Sequence, residues 1–353
     1  MKKQSQKALQ ISIGNGKIVP RQDLHSLSAW MEAYFSFAVT TMESSQKVQR
    51  RDLSRFIEFM IYELGNDKCI NWTPRFSQCF KSTLQKTTNP DDSRRWNDST
   101  INRMLAHLKT FANWVHKHQP FPLGNPMENI KQASTESLLD VERALTPEER
   151  RRMLDAADLL VKTGGRSKDR NRYRKSEIRP QHKSFRGWRN RAIVYTLIET
   201  GMRCSAVTTI DLKKVEFEKR IVPAIEKGGD KHNYKTSREG IEAIQDYLDH
   251  ERTIDAKLFH SPALFLPAKT RQISDGRLKS LAISYIWNQI SETAGIKGKS
   301  PHSARHAMGR HIMEKTGNVS AIQRQLGHKN ATYSLQYARI TDEELRIALD
   351  DRM

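Results

Sequence analysis

The chain has 353 residues, 37% of them hydrophobic, so it is long enough to form two domains with compact cores. Sixty Lys and Arg against forty Asp and Glu leave a net charge of +20. Such a charge attracts polyanions, which makes nucleic acid the leading predicted partner and an acidic membrane surface the alternative. No apolar run of about eighteen residues is present, and the polar start Met1–Ser5 precedes no signal segment. We therefore expect a soluble, cytoplasmic protein.

The cysteines and histidines do not form a recognisable metal-binding pattern. The three cysteines are few and widely separated, which is typical of a protein in a reducing cytosol rather than of a disulfide framework. His302, His306 and His311 have no nearby cysteine and no HExxH pattern. The sequence predicts neither a metal nor another cofactor.

The first half of the chain has the pattern of a small helical domain. Residues 1–23 are polar and contain glycine, which predicts a flexible tail. Apolar residues then recur at spacings of three and four, which predicts a compact, basic, all-helical domain over 24–118. The predicted helices start near Leu24, span Val48–Leu64, follow Pro74, and cover Ile101–Val115 with Asp98 or Ser99 as the cap.

A linker and a second domain are predicted to follow. Residues 119–144 are rich in proline and polar side chains, which is typical of a linker. Thr146, Pro147 and Glu149 then form a capping-box pattern that opens a helix ending near Val161. We place the second domain at 145–353.

A strongly basic segment interrupts the second domain. Residues 166–191 contain eleven Lys and Arg against two acids, with Tyr173, Phe185 and Trp188 among them. This segment has the composition to bind a phosphate backbone while its aromatic faces pack on sugars or bases. A disordered basic insertion between two helices is an equally good interpretation.

The rest of the second domain is predicted to be helical with one hairpin. A helix over Trp188–Thr200 ends at Gly201, and strands at Val215–Ala224 and His232–Thr236 flank a turn that starts at Lys227. Further predicted helices are Glu239–Glu251, Leu278–Thr293, Ser303–Thr316 and Ser320–Leu326. The predicted fold class is mainly α with a small antiparallel sheet, in which a helical domain precedes a mixed α/β domain.

Residues near the carboxyl end suggest phosphate chemistry. His302 and Arg305 lie three apart at a helix start, so both are expected on one face where they can meet one phosphate. His306 is rotated away from that face, and we expect it to pack or to orient a neighbour. Tyr333 and Tyr337 lie four apart after His328 and are expected on one helical face. On spacing alone, either phenol could be a nucleophile.

Taken together, five short sequence motifs, called boxes below, resemble those of the tyrosine recombinases and phage-type integrases. The matching segments appear in the family's order and are Thr200–Arg203, Lys227, His302–His306, Leu326–His328 and Tyr337. The stretches Ser99–Arg103, Leu108–Phe111 with Trp114, and Asn125–Pro126 are similar to the last helix of the family's core-binding domain and its exit. The resemblance covers about residues 24–345 and is specific in combination, although each box alone is weak.

The resemblance implies an active site without metal or ATP. Tyr337 would attack the scissile phosphate to give a 3′-phosphotyrosyl link, and Lys227 would protonate the departing 5′-oxygen. Arg203 and Arg305 would hold the non-bridging oxygens with His328 as a further donor, and His302 would assist proton transfer at the tyrosine. The family also implies a two-domain clamp on double-stranded DNA, a homotetramer on two DNA sites, possible accessory DNA-bending proteins and a nucleoid-associated location.

The chain departs from the family in one position of its motifs and leaves alternatives open. Members usually carry an acid three residues after the first arginine, where this chain has Ala206. Lys231 is a second lysine in the predicted hairpin turn. The tail 338–353 has the spacing of a short helix that packs either on a neighbouring protomer or on its own domain. The predicted function is integration and excision of a mobile element. The alternatives are a non-catalytic DNA-binding protein and a dimer resolvase or topoisomerase-like enzyme.

Overall fold

The computed structural model describes residues 11–14, 17–20, 24–133, 143–163, 186–257, 259–268, 275–328, 330, 332–338, 346 and 349–350. The chain divides into two compact units, Met1–Glu136 and Ser137–Met353. The predicted fold class is confirmed, because the described residues are mostly helical with a small antiparallel sheet in the second unit. None of their helices combines the length and apolar character needed to cross a bilayer.

The first unit is built on four helices around one aromatic core. The helices are α1 Leu27–Phe37, α2 Glu43–Leu64, α3 Pro74–Lys86 and α4 Asp98–His118. Trp30, Phe56 and Phe111 lie fully buried between them at the helical spacings seen in the sequence, and Trp72, which precedes α3, joins the same core. The predicted helical domain therefore has a core of its own.

The start of α4 differs from its prediction by one residue. The side chain of Asn97, rather than that of Asp98 or Ser99, accepts the hydrogen bond of a first-turn amide, at 2.8 Å from the Thr100 nitrogen. Asp98 is the first helical residue instead, where its carboxylate is favourable near the positive end of the helix dipole. Asparagine is as good an N-cap as aspartate or serine, so composition alone did not distinguish the three.

The predicted flexible tail contains a strand pair. Strand β1 (Ile11–Gly14) pairs antiparallel with β2 (Lys17–Pro20), with Gly14 opposite Lys17. This pairing of eight residues was not predicted from the sequence. The sequence carries the signal, because Asn15-Gly16 between two β-branched stretches is the commonest two-residue hairpin loop.

The segment predicted as a linker is partly packed. The division between the units, after Glu136, falls inside 119–144. Phe121 and Met127 of the same segment, however, are buried in the core of the first unit. The proline-rich composition indicated irregular backbone correctly but gave no information on this burial.

The second unit surrounds a central helix. Its helices before the hairpin are α5 Pro147–Thr163, α6 Gly187–Thr200 and the short α7 Cys204–Val207. The capping box of α5 is confirmed, because Thr146 and Glu149 exchange hydrogen bonds between side chain and backbone at 3.1 and 2.9 Å. Helix α6 is buried on all sides and ends, as predicted, at Gly201 in a left-handed conformation.

The hairpin is shorter than predicted. Strand β3 (Ile221–Ile225) pairs antiparallel with β4 (Lys231–Lys235), and Val222 lies opposite Tyr234. The predicted strand began at Val215, but the chain turns between Glu216 and Ile221, where Arg220 has a φ of 54°. Local β-branching thus marked the right region, while the turn inside it was missed.

The remaining helices carry most of the site. They are α8 Arg238–Tyr247, α9 Thr253–Ala256, α10 Ser280–Thr293, α11 Pro301–Thr316, α12 Val319–Leu326 and α13 Thr332–Leu335. A π-helical turn, Leu248–Arg252, joins α8 to α9. Most of the basic segment 166–191 and most of the tail 338–353 lie outside the described residues, so the interpretations of both stay open.

Candidate active site

The sequence boxes fall at the ends of secondary-structure elements of the second unit. Arg203 follows α6, Lys227 lies in the turn between β3 and β4, and Arg305 is in the first turns of α11. His328 follows α12, and Tyr337 lies in a single 3-10 turn after α13. Residues at the ends of helices and strands can present side chains that would be buried within those elements, so this placement suits a binding site.

Arg305 connects three of these boxes through hydrogen bonds. Its guanidinium donates to the carbonyl oxygen of Gly201 at 3.0 Å and to that of Leu326 at 2.5 Å. Those carbonyls close the carboxyl ends of α6 and α12, where unpaired carbonyls attract a cation. The side chain is only 4% exposed. Burial lowers the pKa of Arg305, and the nearby positive charge of Arg203 lowers it further.

Two glycines let these helix ends approach each other. Gly201 has a φ of +68°, and a Cβ there would come within 2.8 Å of Leu326 and 2.9 Å of Met308. Gly327 has a φ of +66° and lies against the ring of His232 on β4. Any larger residue at Gly201 would push α6 away from α11 and α12, so the glycine is what allows Arg305 to span the gap.

Arg203 is held by a carboxylate that the sequence did not suggest. Its Nη1 bonds to Oε2 of Glu226, the residue directly before Lys227, and the Tyr234 hydroxyl donates to the other carboxylate oxygen. Ala206, at the usual position of the family's acid, is fully buried and has no polar side chain to offer. The support for the first arginine therefore comes from the hairpin.

His328 is a neutral hydrogen-bonding group in this site. It is buried, and its Nδ1 lies 2.7 Å from the hydroxyl of the fully buried Ser334. Burial lowers the pKa of His328 to about 4, and the charges of Arg305 and Arg203 contribute to the shift. A neutral ring that accepts from Ser334 at Nδ1 carries its proton on Nε2, where it can donate to an anion.

The two tyrosines have different environments. Tyr333 is 63% exposed, with its ring edge toward His328, whereas Tyr337 is 7% exposed and packs against α11. The expectation that both lie on one helical face is wrong, because α13 ends at Leu335 and the chain tightens into a 3-10 turn. This change of helical pitch rotates Tyr337 inward.

Tyr337 sits in a space that α11 leaves for it. A Cβ at Gly309 would lie 2.7 to 2.9 Å from three ring atoms of Tyr337, so only glycine leaves room for the phenol there. The Tyr337 hydroxyl lies 2.9 Å from Nδ1 of His306. His306 thus orients a neighbour, as the sequence indicated, and that neighbour is the tyrosine.

Lys227 and His302 are less closely integrated. Lys227 is exposed in the hairpin turn, next to Glu226 in the chain. His302 is exposed in the first turn of α11, and Arg305 follows it one turn later. Of the predicted site residues, the structure therefore brings Arg203, Arg305 and His328 into one charged cluster and seats Tyr337 beside it, with its ring stacked 6.5 Å from that of His328.

Sequence reasoning missed several polar residues that support this cluster. They are Glu226, Tyr234, Gln325 and Ser334. Gln325 donates to the carbonyl of Thr200 at 3.0 Å and to that of Lys235 at 2.8 Å, which joins α6, α12 and β4. Of these four, only Glu226 could have been found from the sequence, because it is an acid next to Lys227 and the family's usual acid is replaced by Ala206. The cluster presents two guanidinium groups and an imidazole donor near a phenol, a set suited to a tetrahedral phosphate.

Comparison with known proteins identifies the family and the fold. The model described as the phage integrase family matches residues 129–344. The chain belongs to the phage integrase family. A match over more than half of the chain, through every box described above, establishes membership.

The relatives include bacterial recombinases. Tyrosine recombinase XerD of Mycobacterium leprae is 31% identical over 163 residues, which is 45% of this chain and 50% of the relative. The chain thus spans about half the length of this relative. Tyrosine recombinase XerC of Herpetosiphon aurantiacus is 23% identical over 294 residues, or 83% of this chain and 84% of the relative.

Two solved structures share the fold. XerH site-specific recombinase bound to a palindromic difH substrate superposes with a TM-score of 0.66 at 16% identity, over 92% of this chain and 83% of that one. The Tn1549 transposon integrase in complex with a circular intermediate DNA gives a TM-score of 0.64 at 15% identity, over 93% of this chain and 99% of that one. These likenesses extend the shared fold to both units.

Proposed function

We propose that this chain is a site-specific DNA recombinase that cuts and rejoins strands through a 3′-phosphotyrosyl intermediate. The observation that carries the proposal is the cluster of Arg203, Arg305 and His328 with the Tyr337 phenol seated beside it. Further support is the family membership, the difH substrate bound by XerH and the circular intermediate DNA bound by the Tn1549 integrase. The net charge of +20 fits double-stranded DNA as the partner.

Each group of the site has one role in the proposed chemistry. The Tyr337 oxygen attacks phosphorus, the bond from phosphorus to the 5′-oxygen breaks, and Lys227 gives a proton to that oxygen. Arg203, Arg305 and His328 donate to the non-bridging oxygens as their negative charge grows. The phenolic proton passes to water with the assistance of His302, and His306 holds the hydroxyl. A 5′-hydroxyl from another strand then reverses the steps and frees the tyrosine, so no net bond energy is lost.

The biological setting we propose is integration and excision of a mobile element in the nucleoid. A tetramer on two DNA sites, with each domain contacting the duplex and accessory bending proteins assisting, would perform the exchange. The transposon integrase among the similar folds supports a mobile element, whereas the relatives named XerC and XerD keep the dimer-resolvase alternative in place. The location of the cleaved sites, either at the ends of a mobile element or elsewhere, distinguishes an integrase from a dimer resolvase.

Covalent trapping tests the proposal directly. The protein is incubated with fragmented DNA of its source organism, denatured, and separated so that only protein-linked DNA is kept and sequenced. Wild type should yield fragments that share one site and carry a peptide on the 3′ end. The Tyr337→Phe variant should yield none, while Tyr333→Phe should react like wild type.

Three results would contradict parts of the proposal. Absence of any adduct with wild type, together with DNA binding at low salt, would favour the non-catalytic DNA-binding alternative. An adduct that persists in Tyr337→Phe and disappears in Tyr333→Phe would move the nucleophile to Tyr333. Relaxation of supercoiled DNA by a monomer, without strand exchange, would favour the topoisomerase-like alternative.

A further inference from the structure

We infer that Glu226 and Tyr234 are positioning residues that hold Arg203 and Arg305 in one geometry, so that the hairpin supplies the carboxylate that Ala206 lacks. The inference rests on the function proposed above and adds two residues to its machinery. Neither residue belongs to the boxes that the sequence indicated.

The contacts form a continuous connection between the two arginines. Arg203 bonds to one oxygen of Glu226, and the Tyr234 hydroxyl donates to the other. The same hydroxyl lies near the Arg305 guanidinium, whose positive charge opposes the rise that burial causes in the pKa of Tyr234. Four side chains therefore run in order from Arg203 through Glu226 and Tyr234 to Arg305.

The two hairpin residues in this connection are buried away from water. Glu226 is 8% exposed and Tyr234 is fully buried, so neither has water as a competing partner. A buried carboxylate requires a cation or donors, and it loses much stability when its partner is removed. Arg203 remains partly exposed, and a guanidinium has five N–H groups, so it can bond to Glu226 and to an incoming phosphate together.

The hairpin fixes both residues relative to Lys227. The Glu226 amide donates to the Asp230 carbonyl at 2.8 Å and closes the turn that holds Lys227. Tyr234 lies opposite Val222 on the neighbouring strand, which places its hydroxyl over the end of β3. One hairpin thus carries the proposed leaving-group acid and the support of both arginines.

Substitution of Glu226 tests the inference on two DNA substrates. Both are nicked suicide duplexes of the site recovered by covalent trapping, one with a normal scissile phosphate and one with a methylphosphonate there. A methylphosphonate lacks one charged oxygen, so its cleavage depends less on correctly held arginines. Glu226→Gln should slow cleavage of the normal phosphate by about 10²-fold, because displaced catalytic cations lose this much rate. On the methylphosphonate the loss should shrink to about tenfold or less.

Glu199→Gln is the matched control. Glu199 is 7% exposed and pairs with Arg150 at 2.5 Å, so the control makes the same change in an equally buried ion pair of the same unit. It should lower the melting temperature as Glu226→Gln does, yet its rate should stay close to wild type on both substrates. A purely structural role for Glu226 would make the two variants behave alike.

The outcomes separate this inference from the proposed function. If wild type cleaves and Glu226→Gln cleaves as fast, or is slowed equally on both substrates, the inference is overturned and the function stands. If wild type forms no adduct with DNA, the proposed function fails and the inference falls with it. If Glu226→Gln does not fold, Tyr234→Phe decides by the same rate ratio, because it removes only the hydroxyl between the carboxylate and Arg305.

Discussion

The Nδ1 atom of His306 lies 2.9 Å from the hydroxyl oxygen of Tyr337, and this hydrogen bond fixes the direction of the phenol. His306 comes directly after Arg305 on α11, so one helix holds both a phosphate-binding group and the partner of the proposed nucleophile. We expect His306→Ala to lower the single-turnover rate of adduct formation by about 10²-fold, because a nucleophile that is no longer held in position loses about this much rate.

His311→Ala is the control for that variant, since it removes an exposed histidine from the same helix. Its rate should remain at the wild-type value, and DNA binding in gel shifts should be unchanged for both variants. A wild-type rate in His306→Ala would mean that the bond to Tyr337 has no part in cleavage.

Gly309 should resist substitution because of Tyr337. An alanine Cβ at Gly309 would lie 2.7 Å from Cζ of that ring, so Gly309→Ala should reduce the free energy of unfolding by about 1–3 kcal/mol. In a Tyr337→Ala background the ring is gone, and most of the penalty should disappear. Urea unfolding of the four proteins measures the coupling. An equal penalty in both backgrounds would show that the clash lies elsewhere.

His328 should make the protein less stable as the pH falls below neutrality. The pKa of His328 is about 4 in the folded chain against 6.5 for an ordinary histidine, so between these values only the unfolded chain binds the proton. Protonation then favours unfolding, and stability is lost as the pH decreases. Between pH 7.5 and 5.5 the expected contribution is about 1 kcal/mol.

Urea unfolding at the two pH values checks this with two variants. His328→Asn should lose that part of the pH dependence, whereas His311→Asn, which changes an exposed histidine, should keep it. A pH dependence that is the same in His328→Asn as in wild type would refute a neutral, buried His328.

In the first unit, Asp52 should be important for stability. This fully buried carboxylate accepts two hydrogen bonds from Arg103, at 3.0 and 3.2 Å, and lies 2.9 Å from Nδ1 of His107. Asp52→Asn removes the charge that accepts these hydrogen bonds and should lower the free energy of unfolding by about 1–3 kcal/mol, because the Arg103 side chain left behind is 38% exposed. Asp98→Asn, which breaks the exposed pair with Arg94, should have a much smaller effect. Similar losses in both variants would contradict the role of burial.

Local sequence patterns predicted most helices and strands. They did not predict contacts between residues that are distant in sequence. The capping box at Thr146 and Glu149 was predictable because its partners lie three residues apart. The bond between Arg203 and Glu226 spans 23 residues and depends on how the hairpin packs against α7 and α12, which no local pattern encodes. The direction of Tyr337 likewise depends on a 3-10 turn and on the missing side chain of Gly309.

The bonds of Arg305 to two main-chain carbonyls have a consequence for how this site can evolve. A guanidinium has five N–H groups, and two of those on Arg305 are used by Gly201 and Leu326. Its orientation is therefore set mainly by the backbone, whereas the hairpin acts on it through the single hydroxyl of Tyr234. Arg203 is held through side chains alone and can be re-aimed by changes in the hairpin. Adaptation to a differently placed phosphate should accordingly appear in β3 and β4, with Arg305 as the fixed point.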